Sequence, residues 1–171
     1  MPPRRSPVRR NGTISQRTVS EWSGVSAGTL KNLARIDLIP EANALRPHDV
    51  VLAQVAAGLG ATRSTNRDDN QDPRTTEALR RDWDAVRKVA QLLLNAEVVP
   101  VDPRTRLVAL ADEVEIITKD YELLRYCEDA VEAGVAIRVL PVGTWYQNLQ
   151  KRLGETVTDM HDDEEPTVIA A

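Results

Sequence analysis

The chain has 171 residues, 42% of them hydrophobic, with 22 basic and 26 acidic side chains for a net charge of −4, enough to bury one medium core or two small ones. Only 4% of residues are aromatic and none is phenylalanine, so the core must be built from Leu, Val, Ile and Ala. One cysteine, Cys127, and two distant histidines, His48 and His161, exclude an internal disulfide and an ordinary structural zinc site; no apolar run reaches the roughly 18 residues of a bilayer span and the N-terminus lacks a signal-peptide core, so a cytoplasmic protein without a cofactor is expected.

The charge is unevenly spread. Residues 1–60 hold eight Arg or Lys against four acids, a balance of +4, and the remainder carries −8. A basic front and an acidic back suit a chain of which only the front faces phosphate.

Residues 1–12 are rich in Pro and Arg with little to bury, and read as a disordered basic tail. From Thr13 to Gly60 apolar residues recur at helical spacing with breaks at Ser23-Gly24 and at Leu38 to Arg46, which predicts three short helices. Within this unit, Ser20 is followed four residues later by Gly24 and six further on by Leu30. This is helix-turn-helix spacing: a small residue where two helices cross, a glycine for the turn, and Val19, Trp22, Val25, Leu30 and Leu33 between the helices. Ser26 is placed to cap the second helix. On that helix Gly28, Lys31, Asn32 and Arg35 share one face opposite Leu30 and Leu33. Lys and Arg bond guanine edges or phosphates, Asn suits adenine, and glycine lets a helix start approach a backbone closely. A solvated charged face is the bland alternative.

The run Ser-Gly-Val-Ser-Ala-Gly-Thr-Leu (residues 23–30), with Ile36-Asp37-Leu38-Ile39-Pro40 and Arg46-Pro47-His48-Asp49-Val50, resembles the MerR-type winged helix-turn-helix family and its small excisionase-like relatives. The resemblance covers about 45 residues. It implies a duplex-DNA reader in which Lys31 is the basic residue of the recognition helix and Arg46 contacts phosphate from a wing at Pro40 to Leu45. Asn32 stands where the family usually has an aromatic residue, and Ser20 replaces the usual alanine. The expected DNA-contact set is Arg17, Ser26, Gly28, Thr29, Lys31, Asn32, Arg35 and Arg46.

Residues 61–73 are polar and read as a linker. Beyond it Leu79, Trp83, Val86, Ala90 and Leu93 form one helical stripe, which serves either as the seam of a homodimer or as packing for the strands that follow. Asp102-Pro103 looks like the start of a short helix to Ala111. Val114 to Thr118 and Val135 to Leu140 are predicted strands joined by a helix capped by Asp120, with Leu123, Leu124, Cys127, Ala130 and Val131 on its buried side. Strand, helix, strand implies a parallel pair. Thr144 is placed to cap a last helix, and residues 155–171 read as an acidic disordered tail.

The segment Ile116-Ile117-Thr118-Lys119-Asp120, with Gly134 to Leu140, is weakly similar to the closing half of a PIN-like nuclease domain. Such a nuclease needs converging carboxylates; Asp120 offers one, but the helix from Leu79 to Leu93 stands where the first strand and its Asp belong, and Asp82, Asp84, Asp102 and Asp112 show no matching pattern. The expected fold is therefore α+β or α/β: a winged helix-turn-helix at residues 13–60, a linker, and a small α/β domain at 74–154 for oligomerisation or sensing. The expected function is sequence-specific binding of double-stranded DNA as a dimeric transcriptional regulator, most simply a repressor, and not an enzyme. An excisionase-like or centromere-binding accessory protein and a metal-dependent nuclease are the alternatives.

Overall fold

The computed structural model describes residues 7–61, 76–110 and 113–161. The predicted linker (but for Ala61), residues 1–6 and residues 162–171 of the acidic tail lie outside them. Among the described residues the architecture is α+β, with six α-helices and one three-stranded sheet. The helices are α1 (Gln16–Ser23), α2 (Ala27–Arg35), α3 (Asp49–Leu59), α4 (Thr76–Leu94), α5 (Asp120–Ala133) and α6 (Val142–His161). The strands are β1 (Arg106–Leu110), β2 (Glu113–Ile117) and β3 (Ile137–Leu140).

The expected parallel pair is not formed. The sheet order is β2-β1-β3, with β1 central and antiparallel to both neighbours. β2 and β3 do run in the same direction, as a strand-helix-strand connection requires, but β1 separates them. Within the segment expected as a helix to Ala111, Arg106–Leu110 form this central strand instead. Asp102 and Pro103 imitate a helix start, yet Asp102 Oδ1 accepts from the Arg104 amide at 2.8 Å and its carbonyl from the Thr105 amide at 2.9 Å, closing a turn into the strand. Leu107 and Ala109 then face one side of the sheet and Val108 and Leu110 the other. A strand buried on both faces loses the alternation that marks it in a sequence.

The sheet lies between two layers. On one side, Leu107, Ala109 and Val114 join a core that also contains Val19, Leu30 and Leu33 of the helix-turn-helix, Val51 and Val55 of α3, Val86 and Leu93 of α4, and Leu149 of α6. The described parts of the N-terminal and C-terminal halves thus share one continuous core, and α3 packs directly on both α4 and α6. On the other side α5 covers Val108, Leu110 and Ile117 with Tyr126 and Ala130.

The stripe on α4 is accounted for within the chain. Leu79, Val86 and Leu93 are buried, Trp83 and Ala90 are half-buried, and the Trp83 indole N–H donates to the Ala61 carbonyl at 3.3 Å. Burial of each large aliphatic side chain contributes about 1.5–3 kcal/mol, so the stripe holds the fold.

Other expectations shift in detail. Residues 7–12, read as part of a disordered tail, form a tight turn: Val8 and Ile14 bridge, Arg9 N donates to Thr13 O at 2.8 Å, and Gly12 takes φ 75°. α6 begins two residues before Thr144 and continues to His161, past the expected end at 154, with Lys151 and Glu155 one turn apart at 3.9 Å. α5 is rotated relative to expectation. Tyr126 and Ala130 are buried, Leu123 and Cys127 are half-buried, and Leu124 and Val131 face solvent. Asp120 is not its cap. It sits inside the helix and pairs with Arg106 at 2.8 Å, while Lys119 takes the cap position.

Candidate nucleic-acid interface

Local chemistry dictates the helix-turn-helix. Ser15 caps α1 by accepting from Thr18 N at 3.0 Å, and Ser26 caps α2 by accepting from Thr29 N at 3.1 Å. Between them Gly24 adopts φ 73°, a left-handed conformation that glycine takes without a Cβ penalty. The serines around the turn add bonds that spacing alone did not suggest. Ser20 Oγ donates to Val25 O at 2.7 Å, Ser23 Oγ donates to Val19 O at 2.6 Å, and Val25 N donates back to Ser23 Oγ at 3.1 Å. Ser20 is therefore more than a small residue at a crossing, since its hydroxyl ties α1 to the turn. Gln16 Nε2 donates to Ala27 O at 3.0 Å, linking the starts of the two helices. Val19, Val25, Leu30 and Leu33 are buried between them.

This framework leaves Gly28, Lys31, Asn32 and Arg35 exposed on one face of α2. Among the described residues Arg17, Lys31 and Arg35 take part in no ion pair. At Gly28 an added Cβ would meet only Ser26 Oγ, at 3.9 Å, so nothing in the chain's own packing calls for glycine there. Thr29 is half-buried at the cap. α2 ends where Asp37 takes φ 57° and Leu38 N donates to Leu33 O at 3.0 Å.

Lys31 and Arg35 line a cleft of about 360 Å³ together with Gln16, Leu30, Ile39, Glu41 and Leu45. Its floor is apolar and its rim carries two cations and one carboxylate. The segment expected to form a wing has no strand; a turn closes Pro40 to Leu45, with Ala44 N donating to Glu41 O at 2.9 Å. Leu45 O instead accepts from Ile14 N at 2.8 Å, which fastens the 8–14 turn beside it. Arg46 is exposed but lines a different cleft, of about 760 Å³, with Asn11, Gly12, Tyr146 and Gln150. Lys31 and Arg35 are therefore brought together, while Arg46 opens elsewhere.

Nothing in the sequence signals that Asp49 is buried. Asp49 opens α3 and is 1% exposed. Its Oδ2 accepts from Arg46 N at 2.7 Å, and its Oδ1 lies 3.6 Å from His48 Nε2 with no hydrogen-bond partner among the described residues. Burial raises the carboxyl above 3.8, against the opposing pull of the Arg46 amide and the His48 and Arg46 charges. The folded state thus holds a proton that the unfolded chain releases near 3.8, so this group's stabilising contribution is lost as pH rises from there through the folded value. Asp49→Asn is expected to remove that dependence. Urea titrations between about pH 4 and about pH 7 should show the wild type losing stability relative to the variant as pH rises; parallel curves would contradict this.

Among the described residues no three His, Cys, Asp or Glu side chains converge as a metal site, and none of their helices is long and apolar enough to cross a membrane. No family model matches the chain, and no similar curated protein or solved structure is found.

Proposed function

We propose that the chain binds double-stranded DNA, with α2 as the recognition helix in the major groove, and that it acts as a dimeric transcriptional regulator, most simply a repressor. The observation that carries this reading is the face of Gly28, Lys31, Asn32 and Arg35 on the second helix of a capped helix-turn-helix, exposed and, among the described residues, without ion pairs for its two cations. Glycine carries an entropic cost in ordered structure, and at Gly28 no contact among the described residues requires it. Close approach of a phosphate backbone to the start of α2 gives the bare position a use. The +4 balance of residues 1–60 against the −8 of the remainder orients the molecule toward phosphate in the same sense. Resemblance of residues 23–50 to MerR-type readers points the same way.

In this reading Lys31, Asn32 and Arg35 reach base edges, Ser26 and Thr29 lie at the helix start, and Arg17 on α1 contacts the backbone. Arg46 lines the separate cleft, so it contacts backbone away from the recognition helix. Glu41 repels phosphate beside Lys31 and Arg35, which keeps the Pro40 to Leu45 turn out of the minor groove. The test is selection of bound duplexes from a pool of genomic fragments. Enrichment of a common motif at a promoter supports a regulator, and an attachment site or repeated array indicates a recombination or partition role. A pool that stays random contradicts sequence-specific binding.

A further inference from the structure

Among the described residues nothing covers one flank of α5. Leu124 and Val131 are 62% and 83% exposed and lie seven residues apart, on one line along the helix. Val135 and Val139, at and beside β3, are 39% and 37% exposed. Among the described residues β3 pairs only with β1, at an edge of the sheet. An apolar line bordered by charge on a helix is the pattern of a surface that meets another helix.

We infer that this face is the seam of a homodimer, in which α5 packs antiparallel against α5 of a second copy. The charges beside the line select that occupant. A two-fold axis midway between Leu124 and Val131 sets each Leu124 opposite Val131 of the second copy. The same axis places Arg125 level with position 130 of the second copy, between its Glu128 and Glu132. All three charged residues are exposed, so the two-fold sets each Arg125 between two carboxylates of the second copy. A parallel pairing would instead put the charges of the two copies on opposite sides of the seam, where they cannot pair. The 14 residues of α5 span about 21 Å, short for a seam by themselves, and Val135 and Val139 widen the apolar ground toward the roughly 1,200 Å² of a stable interface. This deepens the dimeric reading above by giving the dimer a surface other than the α4 stripe, and its readout needs no DNA, so either can fail without the other.

Sedimentation of the full chain tests it. The wild type is expected as a two-chain species, and Arg125→Glu alone and Glu128→Arg/Glu132→Arg alone as single chains, since each copy then presents three like charges to its twin. An equimolar mixture of the two variants should return to a two-chain species. Leu124→Gln, which alters no charge, should also sediment as a single chain, and it stands in if a charge variant loses its helical circular dichroism. A single-chain wild type, in which case the face serves a different partner, would overturn the proposal. So would two-chain behaviour of any variant alone, or a mixture that stays single-chain.

Discussion

Gly143→Ala is expected to destabilise the fold by more than about 3 kcal/mol, beyond the usual range for an added methyl group. Gly143 is buried in the first turn of α6, and its amide donates to Thr105 O at 2.8 Å. A Cβ there would lie 2.6 Å from the Pro103 carbonyl oxygen and would clash also with that of Asp102. Both obstacles are backbone, so no rotamer change relieves them. The turn that would have to move leads straight into the central strand β1. Gly154→Ala in the same helix is the matched control, because a Cβ there meets nothing within 4 Å; it should be neutral or stabilising by about 0.5–1 kcal/mol. Urea midpoints of the two variants measured side by side check this, and equal midpoints would refute it.

The second large effect is on binding. Lys31→Ala, Asn32→Ala and Arg35→Ala combined should weaken binding to a selected duplex at least a hundredfold, since each base contact is worth about 1–3 kcal/mol. All three side chains are exposed on α2, and alanine favours helix, so thermal stability should not fall. Fluorescence anisotropy with the selected duplex reads the loss. Unchanged affinity in a folded triple variant would remove α2 from the interface.

Much of the N-terminal half was legible because its signals are local. Ser26 as a cap, Gly24 as a turn residue and the two faces of α2 follow from chemistry acting within a few residues, and the structure places each as expected. The bonds of Ser20 and Ser23 were not legible, since a serine in a helix shows its partner only once the turn is built. The C-terminal half depended on tertiary context. β1 is buried on both faces, so its residues carry no alternation, and the Asp102-Pro103 pair reproduced a helix start while serving a turn. Around α5 the expected buried face included Leu124 and Val131, because aliphatic residues were assigned inward; the aromatic Tyr126 takes that place instead. The Leu79 to Leu93 stripe was correctly read as helical, but periodicity alone could not say whether its apolar side met another chain or, as the structure has it, this chain's own core.

Dimethyl sulfate probing of the selected duplex tests the central claim most directly, because the reagent reports guanine N7 in the major groove and adenine N3 in the minor groove. With α2 in the major groove, the bound protein should shield guanine N7 positions within the enriched motif and leave adenine N3 positions there reactive. Shielding should disappear with the Lys31, Asn32 and Arg35 triple variant. Shielding of adenine N3 alone, or reactivity at every N7 in the motif with protein bound, would contradict major-groove recognition by α2.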